Sequence, residues 1–185
     1  MRIAPSLFVL AMTSQAYADT AVSLDFGYVR NRVAVTDQTT LNGESARFGL
    51  RISLGRYFHF GAEAEEGRLA GQSSLPNGAV ARPSTPEPQG PLDGNTLGLK
   101  MFAGAHTNLG RFTVGADLAG GVRDTWVSGD LGPDIAGRKN EPLLELRSRG
   151  DFWMTKSTTI GAVASSDLLD RRHSSFAAVF ALHFD

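Results

Sequence analysis

The stretch SARFGLRISLG, Ser45 to Gly55, alternates without a break. Ala46, Phe48, Leu50, Ile52 and Leu54 are apolar, and Arg47, Gly49, Arg51 and Ser53 stand between them. Successive side chains of a strand leave on opposite faces, so one face here is apolar and the other carries two cations. Seven further segments repeat the pattern. Val22-Leu24-Phe26-Tyr28 precedes it, with Ser23, Asp25 and Gly27 between. Phe58-Phe60-Ala62-Ala64 alternates with His59, Gly61, Glu63 and Glu65. Leu97-Leu99-Met101-Ala103-Ala105 alternates with Gly98, Lys100, Phe102 and Gly104. Phe112-Val114-Ala116-Leu118 alternates with Arg111, Thr113, Gly115 and Asp117 and continues towards Val122 and Arg123. A less regular segment sets Leu144, Leu146 and Phe152 against Glu145, Arg147, Arg149 and Asp151. Thr158-Ile160-Ala162-Ala164 and Phe176-Ala178-Phe180-Leu182-Phe184 complete the set. Short strands at even spacing predict an all-β sandwich or barrel.

The connections alternate in length. Long ones span Val33 to Glu44, Arg68 to Gly94 and Asp124 to Asn140, and an intermediate one spans Asp167 to His173. Short ones fall at Gly55 to Tyr57, His106 to Gly110 and Thr155 to Ser157. This is the asymmetry of an outer-membrane barrel, with loops outside and turns in the periplasm. The first 18 residues read as a cleaved signal peptide: Arg2 as the charged start, Ala4 to Met12 as the apolar core, and Ala16-Tyr17-Ala18 as the cleavage site. A retained anchor helix is the alternative, but the apolar run is far below the ~20 residues that span a bilayer. Residues 19–185 are then the barrel domain.

With its signal peptide, even strand count, loop asymmetry and aromatic terminal strand FAAVFALHF, the chain resembles the small eight-stranded outer-membrane barrels of the OmpA/OmpX type. The resemblance is one of architecture. It implies an eight-stranded antiparallel up-and-down transmembrane β-barrel in the cell outer membrane. It also implies contact with outer-membrane lipid and lipopolysaccharide, and recognition of the C-terminal strand by the barrel assembly machinery. A final aromatic is usual in that family, whereas Asp185 follows Phe184 here.

In such a barrel the apolar face meets lipid, and Arg47 and Arg51 point inward. An eight-stranded barrel is only wide enough to be filled by side chains, so inward charges need partners. A three-residue turn at Gly55 to Tyr57 sets Arg47 opposite Glu65, and a five-residue connection would set Arg51 opposite Glu63. A six-residue connection from His106 to Arg111 puts Lys100 opposite Asp117. The expected interior charge network comprises Asp25, Arg47, Arg51, Glu63, Glu65, Lys100, Asp117, Arg123, Glu145, Arg147, Arg149 and Asp151. Alternation alone does not fix which face is inside. A soluble periplasmic barrel or sandwich would reverse it, and a narrow pore is a further alternative. Aromatics near strand ends (Tyr57, Phe58, Phe60, Phe112, Phe152, Trp153, Phe184) read as an interfacial girdle.

A formal net charge of -1 gives no reason to expect nucleic acid, and the absence of cysteine excludes disulfides and thiolate metal sites. No cofactor or metal is expected. His173-Ser174-Ser175 resembles the His-x-Ser of lipid A deacylase barrels, but that family also needs an Asn after the Ser and a Glu further on. Here Phe176 follows and the remaining residues hold no glutamate, so no catalytic residue is assigned and the chain is read as non-enzymatic. His59 with Glu63 and Glu65 reads as part of the interior network rather than a metal cluster. Gly120-Gly121 reads as relief of crowding on the wall. The loop 68–94, kept extended by Pro83, Pro86, Pro88 and Pro91, is either an arm for an extracellular ligand or a non-specific connection. Trp126 is a second candidate for external contact.

Overall fold

In a computed structural model, residues 20–34, 40–72, 91–128 and 137–184 are described. The strands are β1 (Thr20–Ala34), β2 (Thr40–Leu54), β3 (Phe58–Gln72), β4 (Pro91–Leu109), β5 (Phe112–Ser128), β6 (Gly137–Trp153), β7 (Thr158–Asp167) and β8 (Ser174–Phe184). Each pairs antiparallel with the next, and β8 pairs with β1 to close the barrel. The segment read as a signal peptide, Asp185 and the middle of the loop 68–94 lie outside the described residues.

Following paired residues once round the wall from Val22 passes Ile52, Phe60, Ala103, Leu118, Leu146, Ser166 and Ser174. The path returns to β1 at Arg32, ten residues further along. Strand number and stagger together set the tilt and width of a barrel; at eight strands the inside is just wide enough for side chains to fill.

The alternation settles as one face out, one face in. Phe26, Phe48, Leu50, Leu99, Met101, Leu118 and Ile160 are exposed on the outer wall, Met101 at 72%. The charged positions between them are buried. This removes the soluble alternative, which needs the apolar face inside.

The tight turn at Gly55 to Tyr57 is as short as the three-residue reading requires, with Gly55 at φ 65, so Leu54 faces Phe58 and Arg47 faces Glu65. The next turn departs from the sequence expectation. Thr107, Asn108 and Leu109 continue β4 and pair with β5, leaving only Gly110 (φ 67) and Arg111 to turn. Lys100 therefore faces Gly121, and Asp117 faces Gly104. Above the apolar band the strands outrun the expected loop boundaries: β3 continues to Gln72, β4 starts at Pro91, β5 reaches Ser128 and β6 starts at Gly137.

Candidate functional site

Among the described residues, most of the charged side chains that converge do so in the barrel interior. Six basic and six acidic residues of the expected set project inward from β1 to β6, and they sort into two ion-paired groups. Nearer the turns, Arg51 contacts Asp25 (3.4 Å) and Asp151 (3.7 Å), and Arg149 contacts the same two carboxylates at 2.6 Å each. The four form a closed, charge-neutral ring. Higher up, Glu63 receives Arg147 (2.7 Å), Lys100 (3.5 Å) and Arg47 (3.6 Å). Arg47 and Lys100 share Glu65, at 3.1 and 3.4 Å, and Lys100 reaches Glu145 at 3.0 Å. Arg123 sits 3.6 Å from Glu145, and Arg147 also pairs with Asp117. Four cations thus meet four carboxylates, again without net charge. The 11 members other than Arg149 are at most 8% exposed, so each carboxylate counts as a desolvated ion that must be matched.

Strand neighbours explain few of these contacts. Arg149 Nη1 donates to Asp25 across 124 residues of sequence, and Arg147 reaches from β6 to Glu63 on β3. Long side chains bridge the barrel because the opposite wall is small: β7 and β8 contribute Gly161, Val163, Ala177, Val179 and Ala181 inside. Phe102, buried on β4, lies under the Arg147 guanidinium, 4.5 Å from ring centroid to Cζ. Gly121 belongs to the same economy of space. A Cβ there would meet Leu99 O, and Lys100 Cα at 2.8 Å, whereas at Gly120 the nearest atom is 3.9 Å away. Within the doublet, the close approach is at Gly121 alone.

Three layers frame the charges. At the turn end, His59 and His106 share a hydrogen bond (3.1 Å), His59 lies 3.4 Å from Asp117, and His183 bridges Ser23 (2.8 Å) and Thr159 (3.0 Å). Trp153 stacks on His183 with centroids 4.4 Å apart and donates to Thr113 Oγ1 (2.9 Å). It is therefore an interior residue and leaves the girdle, which keeps Tyr57, Phe58, Phe112 and Phe184 exposed near the turn end. At mid-height, Asn31 ties Glu65 to Ser45 through two 2.6 Å contacts. At the loop end, Val33, Leu41, Leu69 and Val127 pack together as an apolar cap. Trp126 lies on β5 rather than in a loop and is half-buried.

His59 joins Asp117 and His106, not Glu63 and Glu65, and among the described residues no group of three or more His, Asp or Glu is placed to hold a metal. His173 is buried, with Nδ1 3.3 Å from Arg123 and 3.5 Å from Asp167. Ser175 is bonded to Ser165 (2.6 Å), and Ser174 faces outward. His173 and Ser175 thus serve separate contacts, and Ser174 stands on the other face of the wall. In the same loop, hydrogen bonds from Arg172 hold the Asp170 carboxyl below its usual range. Asn31, Asp167 and the three turn-end interior groups Trp153, His106 and His183 were not in the expected network, although each sits on the inward parity of its strand.

No protein-family model matches the chain, and no curated protein matches it by sequence. Its likeness is three-dimensional. Ail, the attachment invasion locus protein of Yersinia pestis, in complex with the heparin analogue sucrose octasulfate, superposes with TM-score 0.59 at 16% identity, over 90% of this chain and 99% of that one. A second Ail structure gives 0.53 at 13%, with the same coverage. Neisserial surface protein A gives 0.48 at 9%, over 89% and 95%, too low to add weight. At such identities the fold alone is shared: this chain has the architecture of the small eight-stranded outer-membrane β-barrels.

Proposed function

We propose that the chain works as a non-enzymatic barrel of the Gram-negative outer membrane, tight to solutes, that holds loops at the cell surface. One observation carries the reading. An outer wall of exposed Phe, Leu, Met and Ile surrounds an interior of paired charges, a pattern suited to lipid outside and a packed lumen inside. The two neutral ion-pair groups and the apolar cap support a closed lumen. Its partners are outer-membrane lipid and lipopolysaccharide on the wall and, through β8, the assembly machinery. An extracellular ligand is taken by the loop 68–94, whose flanks are the upper parts of β3 and β4. The heparin analogue bound by Ail makes a sulfated glycan a sensible first probe for that loop.

Outer-membrane fractionation followed by a denaturing gel, unheated and boiled, tests the reading. A membrane-bound band that shifts on boiling is expected. A soluble periplasmic band without a shift overturns it.

A further inference from the structure

A cavity of about 710 Å³ opens on the wall near the loop end. Arg30 and Arg32 of β1, Glu44 of β2, Arg68 of β3, and Ser174 and Phe176 of β8 line it. We propose that it is a docking site for the phosphorylated headgroup of an outer-leaflet glycolipid.

The geometry follows from the ladder. Arg30 and Arg32 share a strand face, about 7 Å apart, and Arg68 stands two strands away, about 10 Å across. Glu44 faces Arg30 on one side and Arg68 on the other, so three cations meet a single carboxylate inside the cavity. The Arg30–Glu44 contact is loose, at 3.8 Å with side chains 76% and 62% exposed. Such a pair contributes little and leaves Arg30 open to a stronger anion. Guanidinium forks match phosphate oxygens in pairs.

Position makes the anion part of a lipid. Tyr28 lies two residues below Arg30 on the same face, Phe26 and Phe48 pack edge-on below it at 5.3 Å, and Phe176 is both cavity wall and exposed apolar surface. A headgroup seated among the arginines sends its acyl chains down this surface. A soluble anion would leave Phe176 and Tyr28 unused.

The site rests on the outer-membrane reading, so the experiment separates the two. The full chain is refolded in phosphatidylcholine vesicles doped with bisphosphorylated lipid A. It is then purified in mild detergent, and co-purifying lipid A is measured. R30Q/R32Q/R68Q should retain at least tenfold less, since each cation near an anionic surface contributes severalfold. Glu44→Gln should retain more than wild type. Dephosphorylated lipid A should be held by wild type no better than by the triple variant. R56Q/R111Q/K156Q, which removes the same charge at the turn end, should retain lipid A as wild type does. Equal retention by the arginine variant, equal loss in the turn-end variant, equal binding of dephosphorylated lipid A, or displacement by a heparin fragment overturns the site. The boiling shift is scored on every sample. Its loss in wild type overturns the barrel reading instead, and its persistence in the arginine variants shows that lost retention is not lost folding.

Discussion

Glu63 is the hub of the upper charge group, and replacing it with glutamine keeps its shape while removing its charge. Three cations surround it, Arg147 at 2.7 Å, Lys100 at 3.5 Å and Arg47 at 3.6 Å. At an effective dielectric near 20, each contact of about 4 Å is worth about 4 kcal/mol of attraction, offset by several kcal/mol for desolvating each ion. The net cost of leaving one excess cation in a buried group is about 3–5 kcal/mol. Glutamine can still accept from Arg147, so E63Q belongs near the lower bound. The assay is reversible urea unfolding of the vesicle-inserted barrel. Adding Lys100→Met restores neutrality, and E63Q/K100M should recover more than half of the loss. Arg30→Gln removes only an exposed pair and should cost at most about 1 kcal/mol. If E63Q costs no more than Arg30→Gln, or the double variant is weaker than the single, the interior is not governed by charge neutrality.

Three further expectations concern the wall and the lumen. In planar bilayers the protein should be electrically silent, and remain so as R47Q/E65Q, because removing a matched pair keeps the lumen filled; steady conductance steps in wild type would contradict a closed interior. Gly121→Ala should lower stability by about 1–3 kcal/mol through overpacking against β4, while Gly120→Ala leaves the urea midpoint near wild type. Met101→Arg, on the outward face, should cost about 2–4 kcal/mol when inserted near the bilayer midplane, and an unchanged midpoint would argue that Met101 does not face lipid.

The wall was legible from sequence because one physical demand, apolar outside and polar inside, writes a period of two along each strand. It faded where that demand stops. Above the apolar band the outward positions turn polar and buried polar groups stand among the inward ones, so Asp124 and Thr125 lose the alternation and read as loop although they are strand. At the turn end, His106, Thr107, Asn108 and Leu109 read as turn but are four further ladder positions, and this misplaced Lys100 against Asp117. Trp153 follows outward-facing Phe152 by one residue, so parity alone would have placed it inside; its residue type argued for the girdle. Which charges share the lumen was readable from parity. Who pairs with whom was not, because Arg147 and Arg149 reach across the barrel and their targets depend on closure and stagger rather than on neighbouring strands.

Seven of the eight strand pairings join consecutive strands; the eighth, β1 with β8, joins the two ends of the barrel. Its ladder runs from Val22 opposite Phe184 to Arg32 opposite Ser174, and Ser23 bonds His183 across 160 residues of chain. Contacts so distant are entropically expensive to nucleate and form slowly. Until they form, both edges expose unpaired backbone groups, which hydrocarbon penalises by several kcal/mol apiece. An open, half-built sheet is therefore a poor resident of the bilayer. Since β8 is synthesised after the other seven strands, the kinetics of insertion should follow the zipping of this one seam, and substitutions in FAAVFALHF should slow assembly more than they weaken the finished barrel.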